Sequence, residues 1–133
     1  MIELLMVIIL SSIPILYAAT GELVVEKSGI LNLGVEGMML MGAVIASITV
    51  ITTGNPYLAI FTGAISGLFT SLIFGFFTLI LATNQVATGL ALTIFGTGLS
   101  GLIGADYVGK AISRIGSIKV PILNEIPILG YIL

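Results

Sequence analysis

Residues 37–105 form a run of 69 positions without a single Asp, Glu, Lys or Arg. A folded soluble domain interrupts its core segments with charge every few residues, whereas one helical crossing of a bilayer takes about 20 apolar residues. Three crossings fit inside the run. An apolar stretch at residues 4–21 supplies a fourth, so the chain is expected to be an all-α integral membrane protein of about four transmembrane helices. Composition agrees: 58% of the 133 residues are hydrophobic and 8% charged, against roughly a quarter charged in soluble domains. A net charge of −2 offers no basic field for nucleic acid.

The absence of Cys and His removes disulfides, thiolate chemistry, the usual zinc sites and imidazole catalysis, so no metal site and no catalytic residue is expected. Glu3 stands where a secretory leader would carry basic residues, and residues 4–21 therefore read as a retained membrane helix. Ser11, Ser12 and Pro14 lie inside it; lipid tolerates proline where hydroxyls or neighbouring helices satisfy the carbonyl it frees, and a kink is expected there.

Glu22, Glu26 and Lys27, followed by Ser28 and Gly29, read as a short polar turn. Further spans are expected at 30–53, 57–81 and 86–104, with Gly54, Asn55 and Pro56 making a tight connection between the second and third. Residues 82–92, ATNQVATGLAL, break the hydrophobicity with Thr83, Asn84, Gln85 and Thr88, consistent with a helix break or half-helix. A surface loop is expected at 105–127, carrying Lys110, Arg114 and Lys119, and a further span opens at 128–133. The whole reads as one membrane region.

Glycines 63, 67 and 75 share a face of the third span, and small residues at such spacing let a second helix come close in lipid. Gly29, Gly34, Gly37 and Gly42 would each weaken a helix by about 1 kcal/mol relative to Ala, a cost that close helix contact or a local break would offset. Met38, Met39 and Met41 read mainly as membrane core.

Polar groups inside such sequence need shelter. A carboxylate at the centre of a bilayer helix costs roughly 2.5–3.5 kcal/mol. Asn32 and Glu36 stand four apart, which in a helix puts both on one face. Two readings are open: the pair lines or gates a translocation path, or Glu36 sits at headgroup level near Lys27 and serves the helix ends. Asn84 and Gln85 can bind a polar solute or tie two helices together. Glu22 and Glu26, with no nucleophile or metal set beside them, read as a solvated turn rather than an acid/base pair. The three basic residues of the loop read as surface decoration rather than as an anionic-lipid site.

The segment GELVVEKSGILNLGVEGMMLMGA, residues 21–43, closely resembles the signature of ABC-transporter permeases of the branched-chain amino acid, ribose and nucleoside importer type, in particular the nucleoside and simple-sugar branch. The resemblance continues through ATNQVATGLAL and into IPILG at residues 126–130. It implies a plasma-membrane subunit within a larger permease bundle, forming part of the pathway for a small polar solute, nucleoside or sugar. The implied partners are a second permease subunit, a cytoplasmic ATP-binding subunit and an extracytoplasmic solute-binding protein. ATP would be held by the partner and no cofactor by this chain, which has no GxxxxGK[ST] loop. Such permeases are about twice this length, so an N-terminal portion is implied. Asn32, Glu36, Asn84 and Gln85 are the candidate pathway residues. The resemblance places the 22–27 turn in the cytoplasm, whereas the basic loop would by the positive-inside rule lie there itself. A fragment of a secondary transporter or channel, or a small packing subunit, would share the spans but need no ATPase.

Overall fold

The computed structural model of the chain describes residues 2–111. The expected loop beyond Ala111 and the span opening at 128–133, with Arg114 and Lys119, lie outside the described residues. Four helices dominate: α1 (Ile2–Lys27), α2 (Val35–Thr53), α3 (Pro56–Gly75) and α4 (Gln85–Gly104). A π-helical turn (Phe76–Ile80) extends α3, and a 3-10 turn (Ala105–Tyr107) extends α4. All four are long and apolar enough to cross a membrane.

The α2–α3 connection follows from its three residues. Gly54 takes the left-handed φ of 67° and donates its N–H to Val50 O, closing α2. Asn55 Oδ1 accepts from Tyr57 N and Leu58 N at 3.0 and 3.3 Å, and Pro56 occupies the first helical position, where no N–H is needed. The α3–α4 connection is looser. Leu81 N reaches back to Phe76 O at 3.1 Å, the five-residue step of a π turn. Thr83 caps the end through both its N–H and its hydroxyl, each donating to Phe77 O. Ala82 between them takes a φ of 49°.

Helix α1 runs on through Glu22 and Glu26 to Lys27, where a polar turn is expected from composition. Glu and Lys are good helix formers, and the first breaker is Gly29 at φ 86°. The helix is also unbroken at Pro14. Ser12 Oγ donates to Ile8 O at 2.7 Å, not to the Leu10 carbonyl that Pro14 leaves free.

Helix α2 is the centre of the bundle. It packs antiparallel to α3, where Gly42 and Gly63 let the backbones meet: a Cβ on Gly63 would stand 3.0 Å from Gly42 O. Thr62 and Thr49 bridge the same seam hydroxyl to hydroxyl at 2.8 Å, and Ser66 Oγ donates to Met41 O. On its other side α2 lies parallel to α4. Gly34 meets Gly89, Gly37 meets Leu92, Thr93 and Gly96, and Val44 meets Gly104. No residue of α1 from Leu4 onward is fully buried, Glu22 being half-buried.

Candidate functional site

Because α2 and α4 are parallel, their N-termini lie at the same end of the bundle, beside the C-terminal part of α1. The polar groups of the span-rich sequence collect there, around a non-helical stretch at 28–34 that separates α1 from α2. An extended stretch leaves backbone N–H groups without helical partners, and each must be met by something else. Side chains meet them here. Gln85 Oε1 accepts from Leu31 N at 2.8 Å, Glu22 Oε1 from Asn32 N at 3.0 Å, and Asn32 Oδ1 from Gly34 N at 2.9 Å. Thr93 Oγ1 donates to Leu33 O at 2.9 Å. Two helices, α1 and α4, thus hold one seven-residue stretch that also bonds to itself through Asn32.

Glycine makes the arrangement possible. A Cβ on Gly89 would lie 2.8 Å from Leu33 N, and one on Gly96 would lie 2.6 Å from Gly37 O. Only bare backbone lets α4 sit close enough for the Gln85 and Thr93 side chains to reach residues 31 and 33.

The four candidate residues take different positions. Asn32 is buried, and it precedes α2 instead of sharing a helical face with Glu36. Its Oδ1 bond to Gly34 N and an Nδ2 contact of 3.7 Å to Met38 Sδ occupy its side chain. The i,i+4 geometry expected for this pair is therefore corrected: Asn32 closes a local turn that stops the helix from starting earlier. Glu36 is exposed in the first turn of α2. A 19-residue helix is about 28 Å long, so the Glu36 carboxylate stands at one end of the span and escapes the cost of the bilayer centre. Asn84 is the N-cap of α4, its Oδ1 accepting from Ala87 N at 3.0 Å. Gln85, one residue on, supplies the acceptor for Leu31 N.

Of the three glycines expected to pack, Gly63 alone is brought against another helix. A Cβ on Gly67 would meet nothing within 4 Å, and one on Gly75 only Leu79 of its own chain segment. Glu22 is the member that sequence reasoning passed over as solvated. Its Oε2 is buried without a partner among the described residues. Nothing local in the sequence points from Glu22 to Asn32, ten residues on; the helix running through Glu22 is what carries the carboxylate to that amide. Beside the junction, α3 and α4 flare around an apolar cleft of about 550 Å³ lined by Phe74, Phe77, Ala91 and Phe95. Thr88, which shares a 2.8 Å hydrogen bond with Thr83, is at its edge.

Comparison with known proteins identifies the architecture. The family described as "Branched-chain amino acid transport system / permease component" matches residues 4–121. The chain belongs to this family. The permease is 37% identical over 120 residues to the putative glucose ABC transporter permease protein TsgC13 of Haloferax volcanii, covering 87% of this chain and 36% of that protein. It is 30% identical over 131 residues to the nucleoside ABC transporter permease protein NupC of Lactococcus lactis subsp. cremoris, covering 91% and 41%. It is 28% identical over 130 residues to the guanosine ABC transporter permease protein NupQ of Bacillus subtilis, covering 90% and 41%. The chain thus spans about two-fifths of the length of the curated relatives it matches. No solved structure matches. Family and helices together make this part of a permease component and a multi-pass protein of the plasma membrane.

Proposed function

We propose that the chain forms part of the pathway wall of an ATP-driven importer for a small polar solute, a sugar or a nucleoside. The observation that carries this reading is the family match over residues 4–121, and the names of the relatives supply the two solute classes. The importer is completed by a second permease subunit, an extracytoplasmic solute-binding protein and a cytoplasmic subunit that binds and hydrolyses ATP; this chain holds no cofactor of its own. ATP-driven closure of that subunit shifts the permease between inward-facing and outward-facing states, each ligand biasing the equilibrium only by binding the two states differently.

Within this reading the four polar residues divide their work. Glu36, exposed at the start of α2, faces the mouth of the path. Asn32, Asn84 and Gln85 hold the 28–34 stretch and the start of α4 that form its rim, through bonds already made to backbone. The test is uptake of labelled glucose and guanosine by the complete transporter in proteoliposomes, with and without internal ATP. Glu36→Leu is expected to lower ATP-dependent uptake at least severalfold while the amount of inserted protein is unchanged. Uptake that persists without ATP, or that Glu36→Leu leaves intact, refutes the reading.

A further inference from the structure

At the end of the bundle away from the polar junction, a groove of about 420 Å³ lies between α2 and the last turns of α4. Its wall on α2 is Leu40, Val44, Ile48 and Ile51, successive apolar positions of one face. Gly101 on α4 keeps it open, since a Cβ there would meet nothing within 4 Å. The mouth is formed by Tyr107 and Lys110, whose ammonium stands 4.4 Å from the centre of the Tyr107 ring.

We propose that this groove is a binding site for an anionic phospholipid, with one acyl chain along α2 and the phosphate at Lys110. Two observations select that occupant. The first is length. From Leu40 to Ile51 the groove follows α2 for about 16 Å at 1.5 Å per residue, and one leaflet of a hydrocarbon core some 30 Å thick is about 15 Å deep. An acyl chain entering beside Ile51 ends near Leu40. The second is charge. Lys110 lines the mouth whereas the exposed Asp106 does not line the groove, so among the described residues the ionised group that meets a headgroup there is a cation. Tyr107, held under that cation, is a residue type favoured at the boundary between hydrocarbon and headgroups.

The chain contains no Trp, so a single Trp reports its surroundings without background. Val108 lines the groove and is largely exposed, and Val108→Trp places the reporter at the mouth. The full 133-residue chain is reconstituted in phosphatidylcholine–phosphatidylglycerol vesicles in which one or the other lipid carries brominated acyl chains. Brominated phosphatidylglycerol is expected to quench as though enriched up to about fivefold over its bulk fraction, the weight of one lysine at a bilayer surface. Lys110→Gln should return the enrichment to one, and Lys110→Arg should keep it. Ile60→Trp, exposed on α3, should show none. Equal quenching by the two lipids, enrichment that survives Lys110→Gln, or the same enrichment at Ile60→Trp each overturns the proposal. Quenching by neither lipid also overturns it.

Discussion

Replacing Gly96 with Ala is the most direct trial of the α2–α4 packing. The added carbon would stand 2.6, 2.7 and 2.9 Å from the O, Cα and C of Gly37, all backbone atoms that no rotamer change can move aside. Reaching ordinary contact at 3.4 Å requires the helices to part by about 0.8 Å, a gap that forfeits a quarter to a half of each dispersion contact along the seam. Overpacking of this kind costs roughly 1–3 kcal/mol. Helix propensity returns ~1 kcal/mol for Gly→Ala, so a net loss of up to about 2 kcal/mol is expected, and a loss of about 1–3 kcal/mol relative to an unhindered Gly→Ala. Gly98→Ala is the internal control, because a Cβ there meets nothing within 4 Å and only the propensity gain remains. The assay is reversible unfolding of the chain in mixed micelles, followed by far-UV circular dichroism. Gly37→Ala should cost a similar amount, its Cβ lying 2.6 Å from Leu92 O. Since either substitution opens the same gap, the double variant should fall short of the sum by about 1 kcal/mol. Equal midpoints for Gly96→Ala and Gly98→Ala, or strict additivity of Gly37→Ala and Gly96→Ala, would refute the reasoning.

Glu22→Leu strips the acceptor from Asn32 N, and an orphaned buried donor costs about 1–3 kcal/mol; hydrogen exchange at the Asn32 amide should accelerate at least tenfold, with Glu22→Gln, which keeps a carbonyl oxygen, close to wild type. Asn84→Ala removes the cap from Ala87 N and should lower stability by about 1 kcal/mol, with exchange rising at the first turn of α4 and unchanged at that of α3; a uniform rise along α4 would argue against a local capping role.

The sequence makes the spans legible because lipid demands one thing, long uncharged helices, and residues 37–105 supply them without ambiguity. The Gly54–Asn55–Pro56 connection is equally plain, since each residue type has a single role in a tight turn. Where hydropathy served as a boundary signal it misplaced the end of α1 and the start of α2. Glu22, Glu26 and Lys27 interrupt apolarity but not helicity. The late start of α2 at Val35 is set by partners distant in sequence: Gln85 lies 54 residues from the amide it accepts from. A rule that pairs Asn32 with Glu36 by spacing cannot know that Asn32 has left the helix. The glycine faces show the same limit. Gly63, Gly67 and Gly75 share one face of α3, yet α2 crosses it only at Gly63, whereas Gly96 on α4 lies flat against Gly37 of α2 and Gly89, seven residues earlier, against the backbone of residues 33–34.

The parallel alignment of α2 and α4 has an electrostatic consequence. Each helix carries about half a positive charge at its N-terminus and half a negative charge at its C-terminus, and side-by-side helices of the same sense set like poles together. Repulsion between those poles grows where water is scarce, and the side chains supply what offsets it. Glu22 and Glu36, with the amide oxygens of Asn84 and Gln85, gather at the positive poles, while Lys110 lies at the mouth between the negative ones. Glu22, Glu36 and Lys110 thus stand as counter-charges to the backbone of α2 and α4.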